Sequence, residues 1–79
     1  MGIRSNKDFG AYIRQARQKQ NLRQIDLAKA ASVRQALISD LENGVNSARL
    51  DTVFKVLAAL KLDLSITDRV KPNFDPTEY

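Results

Sequence analysis

The sequence predicts an all-α domain of four short helices, followed by one β-strand. Three observations carry this reading. Apolar residues recur at helical spacing in four separate segments of the 79-residue chain. Turn-forming residues (Asn21, Ala31-Ser32 and Asn43-Gly44) punctuate those segments. At Leu62 the apolar period drops to two, which is the spacing of a strand.

The first helix is expected over 7–20, with Asn6 as its cap and Asp8 in the first turn, where a negative charge suits the helix dipole. Phe9, Tyr12, Ile13 and Ala16 make its apolar face, and Asn21 ends it. A second helix fits 23–30, with Leu27 and Ala28 inward and Leu22 packing just ahead. A third fits 34–42, with Val33 at its entry and Ile38 and Leu41 inward. Gly44 is suited to the left-handed residue that closes it. Residues 45–48 are polar and loop-like, and Ser47 is a candidate cap for a fourth helix over 49–60. Its expected buried stripe is Leu50, Val53, Phe54, Leu57 and Leu60.

Residues 62–67, Leu-Asp-Leu-Ser-Ile-Thr, then alternate strictly. Leu62, Leu64 and Ile66 share one face of this strand, and nothing else in the chain offers it a ladder. Its backbone groups and apolar face therefore need a second chain. The domain is expected to span 1–68. A tail, 69–79, carries Pro72, Asn73 and Pro76 and is expected to be extended.

Composition narrows the function. Seventy-nine residues make one domain, near the lower size at which a single core suffices. Without cysteine there is no disulfide framework and no thiolate metal site. Without histidine the usual general base and any Ser-His or Cys-His pair are missing. Asp51, Asp63 and Asp68 are scattered and form no recognisable ligand set. The expectation is a cytoplasmic, non-enzymatic module with no cofactor and no metal. The start Met1-Gly-Ile-Arg-Ser has no apolar signal region, and no apolar run reaches membrane length.

Charge is divided along the chain. Residues 1–39 hold eight basic groups against two acidic ones, a net of +6. Residues 40–79 hold five against seven, a net of −2. A basic half on a small helical domain points to an anionic partner, nucleic acid first, although a solvated helix surface also accounts for it.

The run from Leu22 to Gly44 resembles the helix-turn-helix of the Cro/repressor (Xre-type) family. Leu22, Gln24, Leu27-Ala28, Val33, Ile38-Ser39, Leu41-Glu42 and Gly44 match in register. The physics agrees: two short helices with a tight turn expose a polar, donor-rich face and keep small residues where they cross. Such an arrangement lays its second helix in the DNA major groove. Two departures stand out. Ser32 occupies the turn position where the family carries glycine, so the turn is expected to be strained or different. Arg23 and Arg34 replace the Ser or Thr that usually caps the two helices, a loss of about 0.5–2 kcal/mol per helix.

The resemblance extends to residues 6–68. The segments 8–17, 47–53 and 56–64 are similar to HipB-like antitoxins, the DNA-binding partners of HipA-type kinase toxins in bacterial operons. It implies a compact lambda-repressor-like four-helix domain, a homodimer whose C-terminal strands pair across the twofold, and a nucleoid-associated protein that represses its own operon. It also implies an ion pair between Arg17 and Glu42, and a Gln24 that contacts phosphate and braces the next helix.

Among the candidate DNA-binding residues, Gln35 at the start of the third helix is the best base reader, because its amide pairs two-pronged with adenine N6 and N7. Arg34 reaches guanine O6/N7 or a phosphate. Ala36 and Leu37 are unusual on a polar face; either meets a thymine methyl, or Leu37 packs on a neighbour. Ser39 reaches a base or a phosphate. Arg23 places a cation near the DNA backbone. Asn46, Ser47 and Arg49 flank the start of the fourth helix beside the expected backbone path, where Ser47 serves equally as a phosphate contact or a cap.

Overall fold

A computed structural model describes residues 2–45, 48–66 and 68. Among them are four helices: α1 (Asn6–Lys19), α2 (Gln24–Ala31), α3 (Gln35–Asn43) and α4 (Leu50–Ala59). Each is too short to be stable alone in water, so tertiary burial has to hold them. α3 packs against both α1 and α2, and α2 packs also against α4.

The core is Ile13 from α1, Leu27, Ala28 and Ala31 from α2, Ile38 and Leu41 from α3, and Val56, Leu57 and Leu60 from α4 and its end. Leu22 and Val33, which precede α2 and α3, are half-buried against it. The small buried faces of Ala28 and Ala31 let α2 approach its neighbours closely. α1 and α3 approach more closely still: a methyl group on Gly10 would collide with the backbone carbonyls of Leu41 and Glu42.

One device ends all four helices. Asn21, Ser32, Gly44 and Lys61 each adopt a left-handed conformation, with φ of 58–65°. In each case the next residue's N–H reaches back to close a six-residue loop: Leu22 to the Arg17 carbonyl, Val33 to Ala28, Val45 to Asp40 and Leu62 to Leu57, at 2.8–3.1 Å. This Schellman closure satisfies carbonyls that helix ends would otherwise leave bare. Only one of the four positions is a glycine. At Ser32 the turn thus keeps the geometry glycine would adopt, and the side chain bears the strain.

Several details differ from the expectations. α1 begins one residue earlier, because Ser5 rather than Asn6 is its cap; the Ser5 hydroxyl accepts from the Asp8 N–H at 3.1 Å. Tyr12 is half-exposed instead of core. Arg49 occupies the N-cap position of α4, and Ser47 lies outside the described residues. The α4 stripe is also different. Leu50 and Phe54 are 63% and 48% exposed, and Val56 takes the buried place instead. α4 carries apolar residues on two faces, and one chain has only one core to offer them.

No strand forms among the described residues. Leu62 packs at the edge of the core, whereas Leu64 is half-exposed and Ile66 is 91% exposed. A lone extended segment has no ladder to join, so its alternation finds no partner within one chain. Thr67 and the expected tail 69–79 lie outside the described residues. No described helix is long and apolar enough to cross a membrane.

Candidate nucleic-acid interface

α2 and α3, which pack against each other, begin in the same way. Arg23 and Arg34 occupy their N-cap positions, and Gln24 and Gln35 are their first helical residues. Neither arginine supplies a side-chain cap. At α2 the loss is partly offset, because Asp26 Oδ2 accepts the Arg23 backbone N–H at 2.8 Å. At α3 no side chain among the described residues replaces the cap; the Leu37 N–H turns back to the Arg34 carbonyl at 3.1 Å, and the Gln35 and Ala36 N–H groups lie at the positive end of the helix dipole. Such a terminus suits an anion.

Arg34, Gln35 and Ala36 are exposed together at the start of α3. The side chains of Arg34 and Gln35 hold no partner among the described residues, so both are available to a ligand. Ser39, one turn further along, is partly exposed. Leu37 is half-buried and packs against the core, which is the second of the two roles weighed for it. Arg23 forms a two-pronged exposed pair with Asp26, at 3.0 Å from both Nε and Nη2. These hydrogen bonds hold the Asp26 carboxyl down at about 2 and raise the Arg23 guanidinium. Arg49 is exposed and lies 3.4 Å from Asp51. Asn46 and Ser47 lie outside the described residues.

Behind this surface sits a buried charge. The Glu42 side chain is fully enclosed. Its Oε2 accepts from Arg17 Nε at 2.6 Å, and its Oε1 accepts from Arg17 Nη2 at 3.1 Å and from Gln24 Nε2 at 3.2 Å. Arg14 Nε stands 3.7 Å from the same Oε1. Arg17 also donates to the Leu22 carbonyl at 2.8 Å, which pins the loop leading into α2. The bond to Glu42 raises the Arg17 pKa further. Among the described residues no buried side-chain polar atom lacks a partner.

Sequence reasoning passed over four contributors. Gly10 sets the α1–α3 spacing, Asp26 half-caps α2, Arg14 joins Glu42, and Gln20 Nε2 donates to the Leu60 carbonyl at 2.8 Å, tying the end of α1 to the end of α4. Only Asp26 had a local signal, an acid three residues after an N-cap position. No three acidic side chains among the described residues gather as a metal site.

Comparisons with known proteins agree with this geometry. A helix-turn-helix family model matches residues 13–66. An uncharacterised HTH-type transcriptional regulator, y4mF of Sinorhizobium fredii, is 41% identical over 64 residues, covering 81% of this chain and 84% of its own. Antitoxin HipB of Escherichia coli K12 is 36% identical over 62 residues, covering 78% and 70%. A chain of the solved HipA-HipB-O2-O3 complex superposes with a TM-score of 0.78 at 32% identity, covering 86% of this chain and 96% of that one. With the paired helices, the bare α3 terminus and the Arg17–Glu42 brace in place, the chain belongs to the helix-turn-helix family of DNA-binding regulators, of the HipB-like, Xre type.

Proposed function

We propose that this chain is a transcriptional repressor that occupies an inverted-repeat operator as a homodimer and acts as the antitoxin of a HipA-type kinase. One observation carries the DNA reading: Arg34 and Gln35 stand exposed and unengaged at the uncapped start of α3. In this reading Gln35 pairs with an adenine edge, Ala36 meets a thymine methyl, and Ser39 and Arg34 contact a base or a phosphate. Arg23, Gln24 and Arg49 hold the DNA backbone and supply affinity that falls with salt.

The exposed apolar residues support the homodimer. Leu50 and Phe54 lie four apart on one face of α4, and Leu64 and Ile66 repeat at strand spacing beyond it. A second copy offers the extended segment a ladder and these side chains cover. The two α3 helices would then enter successive major grooves about 34–36 Å apart, so the half-site centres would lie one helical turn apart. The kinase partner rests on the likeness to antitoxin HipB and to the HipA-HipB-O2-O3 complex.

A second reading is a free-standing regulator without a toxin, favoured by the likeness to y4mF. Co-purification with a HipA-type kinase expressed alongside separates the two. DNA binding is tested on duplexes selected from a random pool. Gln35→Ala is expected to cost about 1–3 kcal/mol at one base position and flatten discrimination there. Arg49→Ala is expected to weaken all duplexes alike and reduce the log-affinity salt slope by about one unit. Equal wild-type affinity for random and selected duplexes at physiological salt would overturn the repressor reading in favour of a protein-interaction module.

A further inference from the structure

We propose that Glu42 is a positioning residue for DNA binding: its buried carboxylate selects one of the two flips of the Gln24 amide and so aims that side chain at the DNA backbone. The inference rests on the reading of Gln24 as a backbone contact. A glutamine amide has a donor edge and an acceptor edge of nearly the same shape, and a free one turns readily between them. A phosphate accepts from the first and repels the second. A solvated glutamine at a helix start would therefore present the wrong edge much of the time, and holding the right one costs entropy on binding.

Gln24 is not in that position. Its Nε2 lies 3.2 Å from Glu42 Oε1, and the Glu42 side chain is fully enclosed. An ionised carboxylate only accepts, so the Gln24 carbonyl cannot take the same place without two oxygens facing each other. The flip is thereby decided. One Nε2 hydrogen is held by Glu42, and the other, with Oε1, is left outside that bond.

Glu42 itself has no freedom to follow Gln24. Arg17 grips both of its oxygens and is tied in turn to the Leu22 carbonyl, two residues ahead of Gln24. The groups facing Glu42 are Arg14 and Arg17 from α1 and Gln24 from α2. Both arginines face the carboxylate with donors only. The ion pair thus serves two ends: it joins α1 to α3, and it sets the direction of an amide on α2.

The test is a double-mutant cycle on duplex affinity with Q24A, E42Q and the double variant, each shown folded by circular dichroism at the assay temperature. Q24A is expected to weaken binding about tenfold, the scale of one charge-assisted hydrogen bond. E42Q is expected to weaken it to a similar degree, and the double variant to bind no worse than E42Q. Independent, additive losses would overturn the proposal. A second measurement needs no variant: in the NMR spectrum of the wild-type chain, one Gln24 Nε2 proton should exchange with solvent distinctly more slowly than the other. Two equally fast protons would overturn it even if E42Q fails to fold. If the wild type binds duplex and Q24A binds equally well, the positioning role fails while the repressor reading stands. A wild type without duplex affinity overturns both.

Discussion

On one flank of the domain α1 meets α3 through charge and bare backbone; on the other α4 meets α2 through hydrocarbon. The first contact is complete within the chain. Gly10 admits the α3 carbonyls, and every buried polar atom around Glu42 has a partner. The second is incomplete. Val56, Leu57 and Leu60 are buried, while Leu50 and Phe54 on the same helix face outward. The α1–α3 flank thus closes on itself, and the α4 flank leaves apolar side chains uncovered.

That contrast can be broken at its polar side first. Glu42→Ala leaves Arg17 without its counter-ion in a largely enclosed site, where Arg17 is only 12% exposed. The expected loss is about 3–5 kcal/mol, read as a fall in Tm of about 4–8 °C per kcal/mol. Asp26→Ala breaks an exposed pair with Arg23 and should lower Tm far less. Equal small shifts would show that the flank does not depend on its buried charge.

The apolar flank is probed by oligomeric state. Phe54→Asp and, separately, Leu64→Pro should each weaken a dimer by about 2 kcal/mol or more, while leaving the helical signal of the single chain in place. Sedimentation that shows an unchanged dimer for both variants would place the interface elsewhere.

A smaller effect concerns the helix ends, which both flanks share. Ser32→Gly relieves a left-handed serine and is expected to raise stability by roughly 0.5–1 kcal/mol in a denaturant titration. A loss would mean that the serine side chain gives more than its conformation costs.

The smallest is a pH effect. The Asp26 carboxyl is held at about 2 against an ordinary 3.8. A depressed folded value contributes stability that is fully present above the unfolded value and is lost as pH falls from about 4 through about 2. Asp26→Asn lacks that titration, so its acid unfolding limb should be flatter over this window. Parallel limbs would show that the Arg23 pair is not formed in solution.

The residues differ in how openly they announce these roles. Gly44 marks its own closure, because a glycine that follows a run of helical spacing is suited above all to a left-handed cap. Lys61 adopts the same geometry with nothing in its chemistry to signal it. Gly10 inside a helix reads as a weakness until α3 is seen against it. Leu50 and Phe54 recur at the same helical spacing as the true core residues of α4, and periodicity alone does not separate a face that meets the core from one that is left exposed. Arg17 and Glu42 are 25 residues apart, so no local rule joins them, and only the resemblance to the Xre-type family pointed to the pair. The exposure of Arg34 and Gln35 was legible, because a polar helix start that follows a tight turn has no core to face.

The four left-handed closures also bear on how fast the domain forms. Each spans only six residues, and chain loops of about ten residues close within roughly 10–100 ns. Helix boundaries are therefore available to the chain long before residues 17 and 42 meet. A small helical domain built this way is expected to fold within microseconds to milliseconds, with the Arg17–Glu42 contact arriving late. Removing that contact should then speed unfolding and leave the folding rate nearly unchanged, an outcome that temperature-jump relaxation of Glu42→Ala would show directly.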